Sequence, residues 1–270
     1  MGLGSAVEIE VEGRRLAWRS AGQGPPLLLI NGYAATGSDW DPGFLDALGG
    51  SFEVICPDNR GVGDSELGEA ELTVDGMAAG FEALLDALGV ERAVLVGWSM
   101  GGFVAQRLAA RSPERVAALA LLATDRGGPE SVPAEREAWS RLVDHSGTDR
   151  QQASRLISLL FPPDLALEID RQFGAVVAEA RGRLSTATLS AQEAAMEAWH
   201  RDGLPDRPAA APPTLVVHGD LDAVIPPANA KALAALWPGA KVEILAGCGH
   251  ALMAQEPHRI TDLIAALVDD

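Results

Sequence analysis

The chain is short of cysteine, tyrosine, lysine and net positive charge, and these shortages remove whole classes of function. Cys56 and Cys248 are the only cysteines in 270 residues, too few for a disulfide framework, and neither has a companion at metal-ligand spacing. They read as two buried or half-buried thiols in a reducing cytoplasm. The 21 basic residues against 38 acidic ones leave a formal charge of -17, a sign that repels nucleic-acid phosphates and anionic membrane surfaces. Long apolar runs are missing too. The opening stretch from Met1 to Glu10 lacks a basic region followed by an apolar core, and no later stretch approaches the roughly 20 apolar residues of a membrane span. The expectation is a soluble cytoplasmic protein that acts on a small molecule and binds neither nucleic acid nor membrane.

What is present is material for a core, since 47% of the residues are hydrophobic and 270 residues can close one domain, or a domain with a cap. Val7 to Val11 and Arg15 to Arg19 alternate around the turn signal Glu12-Gly13, which predicts an antiparallel hairpin at a sheet edge. Four apolar runs follow, Leu27 to Ile30, Phe52 to Cys56, Ala93 to Val96 and Val116 to Leu122. Between them lie segments of helical period, Ser38 to Leu48, Thr73 to Leu88 and Met100 to Arg111. Strand and helix in alternation predict a parallel α/β sheet buried on both faces. The alternation stops between residues 125 and 212. There, amphipathic stretches succeed one another at Pro133 to Asp144, Arg150 to Leu160, Leu165 to Arg181 and Leu189 to Arg201, which predicts a helical cap inserted into a core of residues 1–124 and 213–270. Arg207 to Pro213 reads as a linker back to that core, where the strand Thr214 to His218, the helix Pro227 to Trp237, the strand Lys241 to Leu245 and the helix His258 to Val268 complete the pattern.

Gly97-Trp98-Ser99-Met100-Gly101 fits G-x-S-x-G between a strand and a helix, the context in which that motif carries chemistry. A serine on such a turn is held in a strained conformation with its hydroxyl off the sheet edge, and the first turn of the next helix turns N-H groups toward a developing oxyanion. A hydroxyl needs a base. Among His145, His200, His218, His250 and His258, chain order selects His250, in the loop Gly247-Cys248-Gly249-His250 after the last strand. The other four read as structural or solvated, although His200 could touch substrate from the cap. The imidazole needs a carboxylate to fix its tautomer. Asp222 is the first choice, Asp220 reads as an Asx-turn residue bonding its own loop, and Asp125 stands in reserve. The oxyanion hole takes backbone N-H groups from Met100 and from Tyr33, in Asn31-Gly32-Tyr33 after the Leu27 to Ile30 strand. The Tyr33 phenol points into the pocket or packs as an aromatic. No metal ligands and no dinucleotide fingerprint are present, so no cofactor is required. Trp98, Trp139, Phe161, Phe173, Met196 and Trp199 are candidates to line an apolar pocket.

At these residues the sequence resembles the α/β-hydrolase superfamily over nearly its whole length, the cap apart. The resemblance implies a mostly parallel eight-stranded sheet flanked by helices, with an inserted helical cap, and a triad in the order Ser99, Asp222, His250. Asp58-Asn-Arg-Gly-Val-Gly-Asp-Ser65 is similar to the D-x-R-G-x-G-x-S turn after the fourth strand of these enzymes, a scaffold feature. The nearest likeness is to small bacterial esterases and enol-lactonases, with some similarity to cofactor-free perhydrolases and carbon-carbon bond hydrolases. It implies hydrolysis of a carboxylic ester or lactone with a small to medium apolar acyl group. The superfamily's dehalogenases and epoxide hydrolases carry aspartate at this elbow, so Ser99 argues against both. The fold also serves ligand-binding receptors, a reading that the complete triad disfavours. One departure is Asn31-Gly32, where the superfamily usually begins its oxyanion loop with His-Gly; this weakens the case for the Tyr33 donor more than for Met100.

Overall fold

Strands that are apolar on both faces must be sandwiched between helices, and the middle of this chain supplies three of them in register. The computed structural model describes residues 3–11, 13–204, 208 and 210–269. The chain opens with β1 (Val7–Val11) and β2 (Arg14–Ala21). It continues through β3 (Pro26–Ile30), α1 (Pro42–Gly49), β4 (Glu53–Pro57), α2 (Val74–Ala87), β5 (Ala93–Trp98), α3 (Met100–Arg111) and β6 (Val116–Leu122). Four helices follow: α4 (Arg136–Leu142), α5 (Asp149–Leu160), α6 (Pro163–Gly182) and α7 (Thr186–Asp202). The sheet then resumes with β7 (Thr214–Gly219), α8 (Asn229–Leu236), β8 (Lys241–Leu245), α9 (Leu252–Gln255) and α10 (Pro257–Asp269).

One eight-stranded sheet results, in the order β1-β2-β4-β3-β5-β6-β7-β8. The pairings of β2 with β1 and with β4 are antiparallel and every other one is parallel. Alternate residues of β3 enter opposite cores. Leu28 and Ile30 pack with Phe81, Phe103 and Leu233 on one face, while Leu27 and Leu29 pack with Phe44, Leu48 and Ile264 on the other. The strand order reverses direction around β3, with β4 on one side and β5 on the other. Loops leaving the carboxyl ends of β3 and β5 therefore part in opposite directions and open a crevice.

Two expected elements differ in extent. The helix expected from Ser38 to Leu48 is split into a 3-10 turn, Gly37–Asp39, and α1. The break follows from local chemistry. Thr36 caps the first turn, and Asp41, whose Oδ1 accepts from the Phe44 N-H at 2.9 Å, restarts the chain with Pro42 as its first helical residue. The first cap helix begins at Arg136 and not at Pro133, because the chain before it is held by Asn229. The Asn229 side chain accepts from Val132 N and donates to Val132 O, both at 2.8 Å. The expected linker from Arg207 to Pro213 and the Glu12 of the first turn lie wholly or partly outside the described residues. Among the described residues no helix is long and apolar enough to cross a membrane.

Phe44 is fully buried and does not line the cavity that Ser99 lines. Phe44→Ala is expected to cost about 3–5 kcal/mol of unfolding free energy, read by urea denaturation at pH 7. A loss under about 1 kcal/mol would mean that this half of the core collapses around the gap.

Candidate active site

The turn between β5 and α3 is built from missing side chains. Ser99 sits at φ 54°, ψ -122°, a region that L-residues seldom occupy. A Cβ on Gly97 would lie 2.5 Å from Gly101 O, one on Gly101 would lie 2.1 Å from Ile30 O, and one on Gly102 would meet the Thr124 side chain at 2.4 Å. Gly101 lets α3 start hard against the end of β3, Gly102 lets it pass Thr124 after β6, and Gly97 lets β5 turn tightly into it. Hydrogen bonds hold the turn: Ser99 N donates to Leu122 O at 3.0 Å, while Ser99 O accepts from Gly102 N and from Thr124 Oγ1, each at 2.8 Å. Among the described residues the non-glycine residues at positive φ are Ala34, Ser99 and Ala123, which stand just past the carboxyl ends of β3, β5 and β6. Backbone strain of about 1 kcal/mol or more at each is concentrated at one edge of the sheet.

His250 and Asp222 meet at the same edge. His250 Nδ1 lies 2.8 Å from Asp222 Oδ2, and both side chains are shut away from solvent. The other carboxylate oxygen of Asp222 accepts from Val224 N at 2.8 Å and Ile225 N at 2.9 Å, so the acid is an Asx turn that faces the imidazole. Asp220 does not bond its own loop, as the sequence suggested. Its Oδ1 accepts from Gly247 N at 2.7 Å and braces the loop that carries His250. Trp98 ties this loop to the elbow, its indole N-H donating to His250 O at 2.9 Å with the two rings 5.4 Å apart. With Nδ1 engaged, Nε2 is the imidazole nitrogen left to exchange a proton.

His218, at the end of β7, is buried near both partners. Burial pushes its imidazole down to about 4, against the opposing pull of the Asp222 charge. It is thus a neutral ring beneath the Asp222-His250 pair.

The loop after β3 lies against the elbow, since a Cβ on Gly32 would come within 3.3 Å of Ser99 Cβ, and Met100 is the first residue of α3. Asn31 is buried, and its side-chain amide donates to Pro57 O at 2.7 Å. Asn59 in turn donates to Asn31 O at 3.0 Å, so the departure from histidine leaves a loop anchored to the end of β4. Asp58 accepts from Gly37 N and Arg19 Nη1, both at 2.9 Å, which makes the turn from Asp58 to Ser65 scaffold, as expected. Helix α7 grips the same loop. Gln192 of α7 accepts from Ala34 N at 2.9 Å, and Glu193 accepts from the Tyr33 hydroxyl at 2.5 Å with His145 Nε2 at 2.6 Å on the same oxygen. The phenol therefore packs toward the cap, and burial together with Glu193 holds its pKa above the usual phenol range.

A cavity of about 540 Å³, within the range of small-molecule sites, is lined by Ser99 and by residues of α4 and α7. Of the six aromatic and Met candidates, Trp139 and Met196 line it. Trp98 instead packs between Trp40 and His250. Trp199 is buried behind the wall, stacked on Phe103 at 5.1 Å. Phe161 packs beside the His250 loop, and Phe173 is 49% exposed on the outer face of α6. Sequence reasoning missed Phe103, which lies one helical turn past Ser99, and Val224 and Ile225, which follow Asp222. Their positions beside catalytic candidates were the available signal. Among the described residues no group of three or more His, Cys, Asp and Glu could hold a metal ion.

A family model described as alpha/beta hydrolase fold matches residues 25–257. The chain is 31% identical to the 2-hydroxymuconate semialdehyde hydrolase of Pseudomonas sp. strain CF600, over 95% of this chain and 91% of that protein. It is 28% identical to the pimeloyl-[acyl-carrier protein] methyl ester esterase of Aeromonas hydrophila, over 92% of this chain and 96% of the relative. The solved enol-lactonase of Burkholderia xenovorans LB400 superposes with a TM-score of 0.83 at 25% identity, covering 98% of this chain and 100% of that one.

The buried His218 carries a consequence for stability. Its ordinary pKa of 6.5 applies to the unfolded chain, while the folded one resists protonation down to about 4. Its stabilising contribution is therefore fully present above pH 6.5 and lost as pH falls toward 4. On this account the protein should be about 2–3 kcal/mol less stable at pH 4.5 than at pH 7, a difference that His218→Leu removes. Urea unfolding of both proteins at the two pH values measures it; equal losses in both would assign the acid sensitivity to other groups.

Proposed function

The chain belongs to the alpha/beta hydrolase fold family, and from that premise we propose that it is a serine hydrolase acting on a carboxylic ester or lactone through an acyl-enzyme on Ser99. The observation that carries this reading is the buried Asp222-His250 pair, brought to the same sheet edge as a serine held at positive φ.

Ser99 Oγ attacks the carbonyl carbon as its proton passes to His250 Nε2. The carbonyl oxygen takes the negative charge and accepts hydrogen bonds from Met100 N and Tyr33 N, with the positive end of the α3 dipole behind the first of them. The carbon-oxygen bond to the leaving group breaks, and the departing oxygen takes the proton from Nε2. Water then gives a proton to Nε2 and attacks the acyl carbon. Ser99 Oγ leaves, recovers that proton, and the acid departs. Asp222 holds the tautomer that exposes Nε2 and stabilises the transient imidazolium. The apolar walls of the cavity, Phe103, Trp139, Leu142, Met196 and Ile225 among them, favour a small to medium apolar acyl body. The likeness to 2-hydroxymuconate semialdehyde hydrolase keeps cleavage of a carbon-carbon bond beside a ketone as the second reading.

Incubation with a fluorophosphonate should add one adduct by intact mass, absent in Ser99→Ala. The same substitution should lower kcat on short-chain p-nitrophenyl esters at least about 10⁴-fold, and Asp222→Asn about 10³- to 10⁴-fold. An adduct that survives in Ser99→Ala, or full turnover by that variant, would overturn the assignment of the nucleophile. Turnover of vinylogous 1,5-diketones with no ester activity would favour the second reading.

A further inference from the structure

The cap contributes a second histidine-aspartate pair, and it faces the cavity that Ser99 lines. His200 of α7 and Asp125, in the loop after β6, both line that space, with His200 Nε2 3.3 Å from Asp125 Oδ2. Asp125 is buried and its oxygens are already engaged. Its Oδ1 accepts from Gly127 N at 2.7 Å and from the Trp199 indole at 3.1 Å, and its Oδ2 faces His200. The imidazole is held edge-on between Phe103 and Trp139, at ring separations of 5.5 and 5.4 Å. A ring fixed on two sides and by a carboxylate at Nε2 leaves Nδ1 as the nitrogen that can meet a ligand.

Arg136, the first residue of α4, lines the same cavity and makes no ion pair within 4 Å among the described residues. The ionisable side chains in the lining are Asp125, Arg136 and His200. Since Asp125 is turned onto its protein partners, the groups left to face a ligand are a guanidinium and an imidazole. Arg136 thus offers the cavity a fixed cation in a chain of net charge -17.

We propose that His200 and Arg136 bind the carboxylate of a substrate whose ester or lactone carbonyl lies at Ser99. Arg136 supplies a charge-assisted hydrogen bond, and His200 donates through Nδ1 in its doubly protonated form, with Nε2-H turned to Asp125, which positions the ring. The substrate class is an acyl ester or lactone with an apolar spine and one distal carboxylate. The proposal rests on Ser99 being the nucleophile, so its test is built to fail separately from that reading.

The measurement is kcat/KM for mono-p-nitrophenyl adipate over that for p-nitrophenyl hexanoate, esters of equal chain length that differ in a terminal carboxylate. The ratio should exceed about tenfold for the wild type and fall about tenfold or more in His200→Ala and in Arg136→Ala, with Arg136→Lys retaining most of it. Because it is a ratio, any general loss of folding or turnover cancels. A wild-type ratio near or below one, or a ratio unchanged in both alanine variants, overturns the proposal. So does preference for a p-nitrophenyl 6-hydroxyhexanoate over the adipate, which would make the distal group a hydrogen-bond donor. If Ser99 takes no fluorophosphonate and neither ester turns over, quenching of tryptophan fluorescence still decides the matter. Saturable quenching by hexanoate but not by hexanamide, lost in His200→Ala, supports the carboxylate site; equal responses to the two overturn it.

Discussion

The candidate site depends on one steric contact, the approach of Gly101 at the start of α3 to the carbonyl of Ile30 at the end of β3. A single methyl group there would overlap that oxygen at 2.1 Å. Without the contact α3 could not begin where it does. The turn at Ser99 would then relax from its positive φ, and Met100 N would move away from the loop that carries Tyr33. Protein interiors do not deform continuously, so such a shift would propagate into the packing of both cores and would not be absorbed locally. The strain at Ala34, Ser99 and Ala123 is the other side of this constraint. Three neighbouring strands end in conformations that only well-packed surroundings can hold.

Around that contact the polar groups form a chain of support with few loose ends. Asp220 holds the His250 loop through Gly247, Gln255 accepts from Gly249 N at 2.8 Å, and Ala251 N donates to Leu160 O at the end of α5 at 3.0 Å. The loop bearing His250 thus leans on α5 as well as on the sheet. Gln192 and Glu193 do the same for the loop bearing Tyr33. The helices between β6 and β7 are therefore joined to both sides of the site by hydrogen bonds, in addition to roofing the cavity. These helices and the sheet act on the geometry of the site together.

The strand and helix alternation was legible in the sequence because burial on both faces demands unbroken apolar runs, and β3, β5 and β6 supply them. Helix ends were less legible. α1 begins late because Asp41 and Pro42 restart a turn that periodicity alone would continue. The cap side chains were least legible. Helical period separates an apolar face from a polar one, yet it does not say what covers the apolar face. Phe173 and Trp199 sit on similar patterns, and one is half exposed while the other is buried on Phe103 and bonded to Asp125.

Local chemistry in the sequence determined the sheet, its elbow at Ser99 and the identity of the residues able to take and hold a proton, since each follows from residue types at short spacing. Tertiary structure decided the rest: that Asp222 and not Asp220 or Asp125 faces His250, that Asp125 serves His200, and that Trp139 and Met196 reach the cavity while Phe161 and Phe173 do not. The reason is geometric. Asp222 and His250 stand 28 residues apart, and Asp125, just past β6, is still further in the chain from His200 on α7, so these distances exist only once strand register and helix packing have set them.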